Sequence, residues 1–210
     1  MEPSTDVDTL LRYKAKAVLR QRARNLRSTI PIEAIAQRSA AIVERLSGME
    51  ELLAARSVAL FYPMERRHEV DLRALDATLR ARGVRVAYPR IDGGDEADSP
   101  IAQQKMSFRF TDAIADLAER GQIYLEPAGT AEVATELDVI LVPALQVDGR
   151  GHRIGYGAGF YDRTIPRFSP PAKTIIVAFD FQLIAEVPVT DGDVACGMIV
   201  TDKRVLKTGE

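Results

Sequence analysis

The sequence is poor in the residues on which several kinds of site depend. Its 210 residues include one cysteine, two histidines and no tryptophan. The single Cys196 cannot form an internal disulfide, which fits the reducing environment of the cytoplasm. Together with His68 and His152 it gives no spacing typical of a zinc site. The opening residues are acidic and not basic before an apolar run, so no signal peptide is expected.

Long apolar runs and an excess of charge of one sign are also lacking. The most apolar stretch, Val139 to Val147, is too short to span a bilayer. The formal net charge of -2 gives no electrostatic reason to expect nucleic-acid or membrane binding. A hydrophobic content of 46% and a charged content of 28% suit a packed core under a charged surface. We expect a cytoplasmic globular protein with small-molecule ligands, a monomer with a dimer as the alternative.

Apolar runs that alternate with amphipathic segments predict an α/β fold. Helices are predicted at Leu10 to Leu26, from Pro31 to the terminators Ser47 and Gly48, at Val70 to Arg82 and at Phe160 to Arg167. Strands are predicted at Ser57 to Tyr62, Val84 to Tyr88, Asp138 to Val142 and Thr174 to Ala178. This alternation favours a mostly parallel sheet covered by helices on both faces. We expect a single three-layer domain over 1–210 with a helical N-terminal segment, residues 1–9 flexible, and an exposed loop at 92–100.

The most informative segment is the glycine-rich stretch at 149–163, which follows the predicted strand 138–142. Ligands of open α/β sheets gather beyond the carboxyl ends of strands. Gly155, Gly157 and Gly159 would let backbone N–H groups approach an anion closely. The helix that follows would point its N-terminus at the same place. Arg153 could add a mobile positive charge, and Asp162 could hold Mg²⁺.

The alternative interpretation of this stretch is a flexible turn. It is neither the Rossmann fingerprint nor the Walker A pattern. A turn made only for flexibility would not need an arginine, two aromatic residues and an acid around its glycines. The sequence therefore favours a phosphate-binding site.

Longer motifs around this stretch resemble one known family. Leu141-Val142-Pro143, followed by Arg153-Ile154-Gly155-Tyr156-Gly157-Ala158-Gly159-Phe160-Tyr161-Asp162-Arg163, is similar to the signature of the 5-formyltetrahydrofolate cyclo-ligases, also called methenyltetrahydrofolate synthetases. Further matches are Lys16 with Arg20, Tyr62-Pro63 with Glu69-Val70-Asp71, Glu126-Pro127, and Val187-Pro188-Val189 with Asp193. The resemblance implies a fold like that of NagB, RpiA and CoA transferase. It also implies an enzyme that uses ATP and Mg²⁺ to convert 5-formyltetrahydrofolate to 5,10-methenyltetrahydrofolate.

The resemblance also implies roles for individual residues. The residues that would bind ATP are Lys16, Arg20, Gly151, His152, Arg153, Ile154, Gly155, Tyr156, Gly157, Ala158 and Gly159. Those that would bind the folate are Tyr62, Glu69, Tyr156, Phe160 and Tyr161. Asp162 and Asp193 would hold Mg²⁺, and Arg153 and Tyr161 are the expected catalytic residues.

Several of the residues singled out above also have a structural interpretation that needs no ligand. Most basic residues of the first helix would form a solvated face, and without the family match Lys16 and Arg20 would not be chosen. Glu69 could equally be an acid in the first turn of the helix predicted at Val70. Phe160 could be only a core residue, His152 could lie on an exposed turn, and Cys196 could be a nucleophile or, more commonly, a small core residue.

Two other functions are also open at the level of the sequence. One is a sugar-phosphate isomerase-like enzyme that does not need ATP. The other is a non-catalytic nucleotide- or RNA-binding descendant of the family. Departures from the family pattern concern the shape of the folate pocket more than the nucleotide site, and they fall at Leu72, Ala144, Val147, Phe160 and the Cys196-Gly197 pair.

Overall fold

The computed structural model of the protein describes residues 7–92, 104–120 and 124–209. The α-helices in these stretches are α1 (Val7–Ser28), α2 (Ile32–Ser47), α3 (Glu50–Ala54), α4 (Arg73–Ala81) and α5 (Phe160–Thr164). The four predicted helices are confirmed with shifted ends, whereas α3 was not predicted. Residues 1–6 of the predicted flexible segment lie outside the described residues, and residues 7–9 are helical.

The ends of two helices follow from the local sequence. Helix α2 starts directly after Pro31 and ends at Ser47, where the N–H of Gly48 donates to Arg45 O and the N–H of Met49 donates to Leu46 O. Helix α5 is shorter than predicted, because residues 165–167 form a 3₁₀ turn. Pro166 explains this end, since proline lacks the N–H that would continue the hydrogen bonds of the α-helix.

A seven-stranded sheet forms the centre of the molecule. The strands of the described residues are β1 (Ser57–Ala59), β2 (Arg85–Asp92), β3 (Lys105–Thr111), β4 (Ala118–Arg120), β5 (Tyr124–Glu126), β6 (Val139–Pro143), β7 (Gln146–Asp148), β8 (Arg153–Ile154), β9 (Lys173–Val177), β10 (Leu183–Ile184), β11 (Met198–Val200) and β12 (Val205–Lys207). The sheet has the order β12-β11-β9-β6-β1-β2-β3. Its five inner strands are parallel, and the edge strands β12 and β3 are antiparallel to their neighbours.

The sheet is buried on both faces because successive strand residues point to opposite sides. On β6, Leu141 belongs to a core cluster that also contains Leu46 of α2 and Leu75 of α4. Its neighbour Ile140 belongs to a second cluster, with Phe168 after α5. The predicted α/β fold with a large, mostly parallel sheet is confirmed. The two edge strands were not predicted, and β2 runs well past the predicted strand at Val84 to Tyr88.

Two smaller sheets complete the fold, and one of them positions α1. Strands β10, β7 and β8 form a three-stranded sheet, and β4 pairs with β5. Ala23 of α1 packs in a small cluster with Leu145, Ile154 and Val187 around the three-stranded sheet. This packing brings α1 beside β8 and the glycine-rich segment. Within the described ranges, no helix is long and apolar enough to cross a membrane. Residues 93–100 of the predicted exposed loop lie outside those ranges, and Asp92 ends β2.

Candidate active site

A large cavity lies at the carboxyl ends of the inner strands, where ligands of parallel sheets bind. Its volume is about 1310 Å³. Phe61 and Tyr62, which follow β1, form part of its wall, and so does Pro143 at the end of β6. Helix α1 and the glycine-rich segment supply further walls. Sequence reasoning had placed the site after one of these strands, and the structure uses several.

Most of the predicted site residues line this one cavity. They are Lys16, Arg20, Tyr62, Glu69, Arg153, Ile154, Gly155, Tyr156, Gly157, Ala158, Gly159, Phe160, Tyr161, Asp162 and Asp193. They come from four separate parts of the chain (16–20, 62–69, 153–162 and 193), so their convergence is a property of the fold and not of sequence proximity.

Gly151 and His152, which were also predicted to bind ATP, do not line this cavity. Gly151 has φ +84°, and a Cβ there would lie 2.2 Å from the carbonyl oxygen of Cys196. The N–H of His152 donates to the buried Asp148 carboxylate over 3.1 Å. Both residues belong to the turn between β7 and β8, and the packing of that turn explains them.

The segment at 155–159 needs glycine for its backbone. Gly157 has φ +109° and Gly159 has φ +67°, a left-handed region that favours glycine. Gly159 is also the residue before α5, which begins at Phe160 against the cavity. The segment therefore bends across the cavity and exposes main-chain atoms to it.

Lys16 and Arg20 face the cavity from α1. The Lys16 ammonium donates to Thr190 Oγ1 over 2.7 Å and forms an ion pair with Asp193 Oδ2. Arg20 Nε donates to the carbonyl of Gly155 over 3.1 Å. Burial, then neighbouring Arg24, lowers the pKa of Arg20, so this position would gain from a nearby anion. The alternative of a solvated face is therefore wrong for the buried Lys16 and does not describe Arg20.

The two predicted metal ligands are each paired with a cation of the chain. Asp162 Oδ1 accepts from Arg153 over 2.8 Å and from the N–H of Val194 over 3.2 Å. Burial opposes ionisation of Asp193, but the bonds from Lys16 and Thr190 together hold its pKa below the usual value. In the part of the chain that the structure describes, no group of three or more metal-ligating side chains comes together. Two carboxylates are oxygen donors of the kind that Mg²⁺ prefers, but they would need phosphate oxygens and water to complete its shell.

Arg153 is held firmly, which corrects the expectation of a mobile charge. Only 8% of the residue is exposed. Besides its bond to Asp162, it donates to the carbonyl of Val194 over 2.8 Å and lies 3.7 Å from Cys196 Sγ. Cys196 is itself a buried core residue, and burial raises the pKa of its thiol. It is therefore not placed or activated as a nucleophile.

Glu69 is a buried acid on the cavity wall. Its Oε1 accepts from the Tyr156 hydroxyl over 2.5 Å, and its Oε2 accepts from the N–H of Met64 over 2.9 Å. Burial raises the pKa of Glu69, and Arg27 is the largest influence in the opposite direction. Helix α4 begins only at Arg73, so the alternative of an acid in the first turn of this helix is wrong.

Aromatic residues also line the cavity, directly after the glycine-rich segment. Phe160 lines the cavity and also packs against the core, so both interpretations of it hold. The buried hydroxyl of Tyr161 has no hydrogen-bond partner among the described residues. Burial raises the pKa of Tyr161, so its hydroxyl remains a hydrogen-bond donor. An unsatisfied buried donor on a cavity wall is a place where a ligand acceptor would be stabilised.

Several residues of the site were missed. The unpredicted wall residues include Met64, Arg67, Pro89, Ile91, Met106 and Leu125. Glu126, noted only as part of a motif, also lines the cavity. Behind the wall, Arg27 bonds to Tyr156 and lies 3.9 Å from Glu69. Nothing in the sequence separates Arg27 from the other arginines of α1, because its position depends on the tertiary fold.

The cavity and its lining are typical of an enzyme that binds a phosphorylated ligand at the edge of a parallel sheet. Comparison with known proteins makes this class specific. The model of the "5-formyltetrahydrofolate cyclo-ligase family" matches residues 12–202. The 5-formyltetrahydrofolate cyclo-ligase of Mycolicibacterium smegmatis is 37% identical over 193 residues, which cover 91% of this chain and 95% of that protein. The chain therefore belongs to the 5-formyltetrahydrofolate cyclo-ligase family, a family of ligases.

Other relatives agree with this assignment. The Escherichia coli K12 5-formyltetrahydrofolate cyclo-ligase is 35% identical over 72 residues, 34% of this chain and 40% of that protein. The solved 5,10-methenyltetrahydrofolate synthetase of Aquifex aeolicus is similar with a TM-score of 0.78 and 25% identity, over 93% of each chain. The structure of a synthetase from Mycoplasma pneumoniae, at 18% identity, supports the fold alone, with a TM-score of 0.69 over 89% of this chain and 98% of that chain.

Proposed function

We propose that the protein converts 5-formyltetrahydrofolate to 5,10-methenyltetrahydrofolate at the expense of ATP. The observation that carries the proposal is that one cavity brings together the cations of α1, the glycine-rich segment, Glu69 and the aromatic residues. Membership of the cyclo-ligase family supports the same reaction. The formyl oxygen attacks the γ-phosphorus of ATP and ADP leaves. N10 then attacks the activated formyl carbon, and phosphate leaves as the ring closes.

The nucleotide half of the cavity would be the segment at 155–159 with the cations of α1. Gly155, where a Cβ would meet nothing within 4 Å, leaves room for phosphate oxygens close to the backbone, and Gly157 lies against the guanidinium of Arg20. Lys16 and Arg20 would neutralise the phosphates and hold them in line with the formyl oxygen. Asp162 and Asp193 would hold Mg²⁺, which supplies further charge neutralisation when bound. Arg153 acts here by fixing Asp162.

The folate half would be formed by Glu69 and the aromatic side chains. The carboxylate of Glu69 is buried on the cavity wall, and an N–H group of the pterin would donate a hydrogen bond to it. Tyr62 and Phe160 would pack against the ring system. The unpartnered Tyr161 hydroxyl would donate to an oxygen of the reacting formyl group or of the departing phosphate.

The same proposal includes the finer features expected from the sequence. The layering would be that of NagB, RpiA and CoA transferase, which the core clusters on both sheet faces support. The protein would act as a monomer on small molecules and not on nucleic acid, in agreement with its net charge of -2. The family match, rather than the buried acid, favours the cyclo-ligase over a sugar-phosphate isomerase and a binding-only descendant.

The test is a turnover assay with purified protein, ATP, Mg²⁺ and 5-formyltetrahydrofolate, followed by the near-ultraviolet absorbance of the methenyl product. We expect product only with ATP, loss of turnover with a chelator, and recovery with excess Mg²⁺. The substitution R20M should raise the KM for ATP about tenfold or more, because it removes a charged hydrogen-bond donor from the cavity wall.

The matched control is R22M, which changes an exposed arginine of the same helix. It should leave the KM for ATP unchanged. An inactive wild-type protein that still binds ATP would contradict the proposed reaction.

A further inference from the structure

Arg27 occupies an unusual place for a charged residue at the end of a helix. It lies in the last turn of α1, and only 4% of its side chain is exposed. It does not line the cavity. Its guanidinium donates to the Tyr156 hydroxyl over 2.5 Å and lies 3.9 Å from Glu69 Oε1. Arg27 therefore stands directly behind two residues of the cavity wall.

The polarity of this chain of hydrogen bonds is fixed by its ends. Arginine can only donate and an ionised carboxylate can only accept. Arg27 therefore donates to the oxygen of Tyr156, and Tyr156 must donate its own proton to Glu69. These bonds join residues that are 129 and 87 positions apart in the sequence. They tie α1, the glycine-rich segment and the loop before α4 into one unit.

The backbone of Arg27 acts on the same unit. Its carbonyl oxygen accepts from Nδ1 of His68 over 3.1 Å. His68 immediately precedes Glu69 and has φ 50°, a left-handed conformation that is uncommon for a residue other than glycine. Such backbone persists only when its surroundings hold it, and it sets the direction in which Glu69 leaves the chain. Arg27 thus acts on Glu69 in two ways: its side chain bonds to Tyr156, and its carbonyl oxygen bonds to His68, the residue before Glu69.

Stability alone does not explain a buried arginine at this position. Removing a guanidinium from water is costly, and well-packed apolar side chains are often as stabilising as a buried ion pair. The Nε atom of Arg27 is also buried without a hydrogen-bond partner among the described residues. We therefore attribute the arginine here to its contacts with Glu69, the candidate folate-binding residue, and with Tyr156.

We propose that Arg27 is a positioning residue for folate recognition, which holds Tyr156 and Glu69 together so that Glu69 presents its carboxylate to the cavity. The proposal rests on the proposed function, because it assigns Arg27 to the folate half of that same site. Substrate affinity depends on Arg27 through Glu69, whereas ATP affinity does not.

The charge around Glu69 gives the proposal a second readout. The charged and titratable groups that face Glu69 are Arg27 of α1, Arg67 of the adjacent turn, Tyr156 of the glycine-rich segment and Tyr161 of α5. Burial raises the pKa of Glu69 and Arg27 opposes that rise, so removal of Arg27 lets Glu69 take up a proton at a higher pH. The acid side of the folate-binding profile should then move to higher pH.

The experiment compares R27M and R27K with R24M in the intact protein. Arg24 is the matched control because it also lies over the Tyr156 ring, at 5.7 Å, but is exposed. We expect R27M to raise the KM and the Kd for 5-formyltetrahydrofolate about tenfold or more while the KM for ATP changes less than about twofold. R27K should recover part of the affinity, and R24M should match the wild type.

A double-mutant cycle with Y156F tests whether the two residues act as one unit. If they do, the R27M/Y156F variant binds folate no more weakly than the weaker single variant, so the effects are not additive. Additive losses, an unchanged folate KM, or equal rises in both KM values would each overturn the proposal. An unchanged circular dichroism spectrum and thermal unfolding curve show that a variant is folded. The proposed function fails separately, through absence of product with the wild type.

Discussion

The two halves of the glycine-rich segment do different things, although the sequence presents them as one motif. In the first half, residues 149–152 form the turn between β7 and β8 around the fully buried Asp148, which accepts N–H bonds over 3.0 Å from Arg150 and 3.1 Å from His152. In the second half, Gly155 to Gly159 line the cavity. One half is fixed by the protein interior, and the other is open to a ligand.

The comparison shows that a glycine in such a motif can be required for two unrelated reasons. Gly151 is required because another part of the backbone occupies the space of a side chain. Gly157 is required because its own φ of +109° excludes other residues and because Arg20 lies against it. Substitution of Gly151 should therefore cost stability, and substitution of Gly157 should cost ligand affinity.

The largest effect is expected for G151A. A Cβ at this position would lie 2.2 Å from the carbonyl oxygen of Cys196, in backbone with φ +84°. We expect the free energy of unfolding to fall by more than about 3 kcal/mol, measured by chemical denaturation. Its control is G149A, where a Cβ meets nothing within 4 Å and the change should stay below about 0.5 kcal/mol. Equal effects of the two substitutions would refute the packing explanation.

An intermediate effect is expected for G157A. The strained backbone should lower the free energy of unfolding by about 1–2 kcal/mol. The larger loss should be in ATP affinity, about tenfold by titration calorimetry, since the new methyl group would lie against Arg20, 3.4 Å away, where the phosphates are proposed to bind. G155A is the comparison for G157A, because the new Cβ at position 155 meets no protein atom within 4 Å. If G157A lost stability but kept its affinity for ATP, the segment from Gly155 to Gly159 would not be part of the nucleotide site.

The smallest effect is expected for H152A. The imidazole is mostly covered, its Nδ1 has no hydrogen-bond partner in the described part of the chain, and it lies 3.7 Å from Asp148. We expect a change in the free energy of unfolding of less than about 1 kcal/mol and no change in ATP affinity. A clear loss of ATP affinity in this variant would show that His152 belongs to the nucleotide site and that the two halves do not differ in this way.

The sequence predicted the elements that carry a strong local signal. The buried strand β6 and the amphipathic helix α2 have clear periodicity and terminators, and both were placed within a residue or two. Strand β3 was not predicted, although its antiparallel partner β2 is the preceding strand; between the two lies the acidic stretch that was predicted as an exposed loop. Helix α5 was predicted too long because the effect of Pro166 was not weighed against the apolar pattern.

For the site, the family signature identified what faces the ligand but not what supports it. The signature placed Lys16 and Glu69 correctly on the cavity wall. It also included Gly151, since a motif does not separate residues that line a cavity from residues that pack beside it. Arg27 could not be found, because its importance comes from contacts with Tyr156 and Glu69, which are distant in sequence.

The ion pair between α1 and a residue near the C-terminal end of the sequence has a consequence for folding during synthesis. Lys16 contacts Asp193, 177 residues later, and Thr190, 174 residues later. During synthesis α1 leaves the ribosome long before the segment that it binds, so its buried ammonium group stays hydrated until almost the whole chain has emerged. Contacts of such long range also form late in folding, because they close the largest loops. A ligand of this cavity can therefore stabilise only the completed chain, and it cannot guide the nascent one.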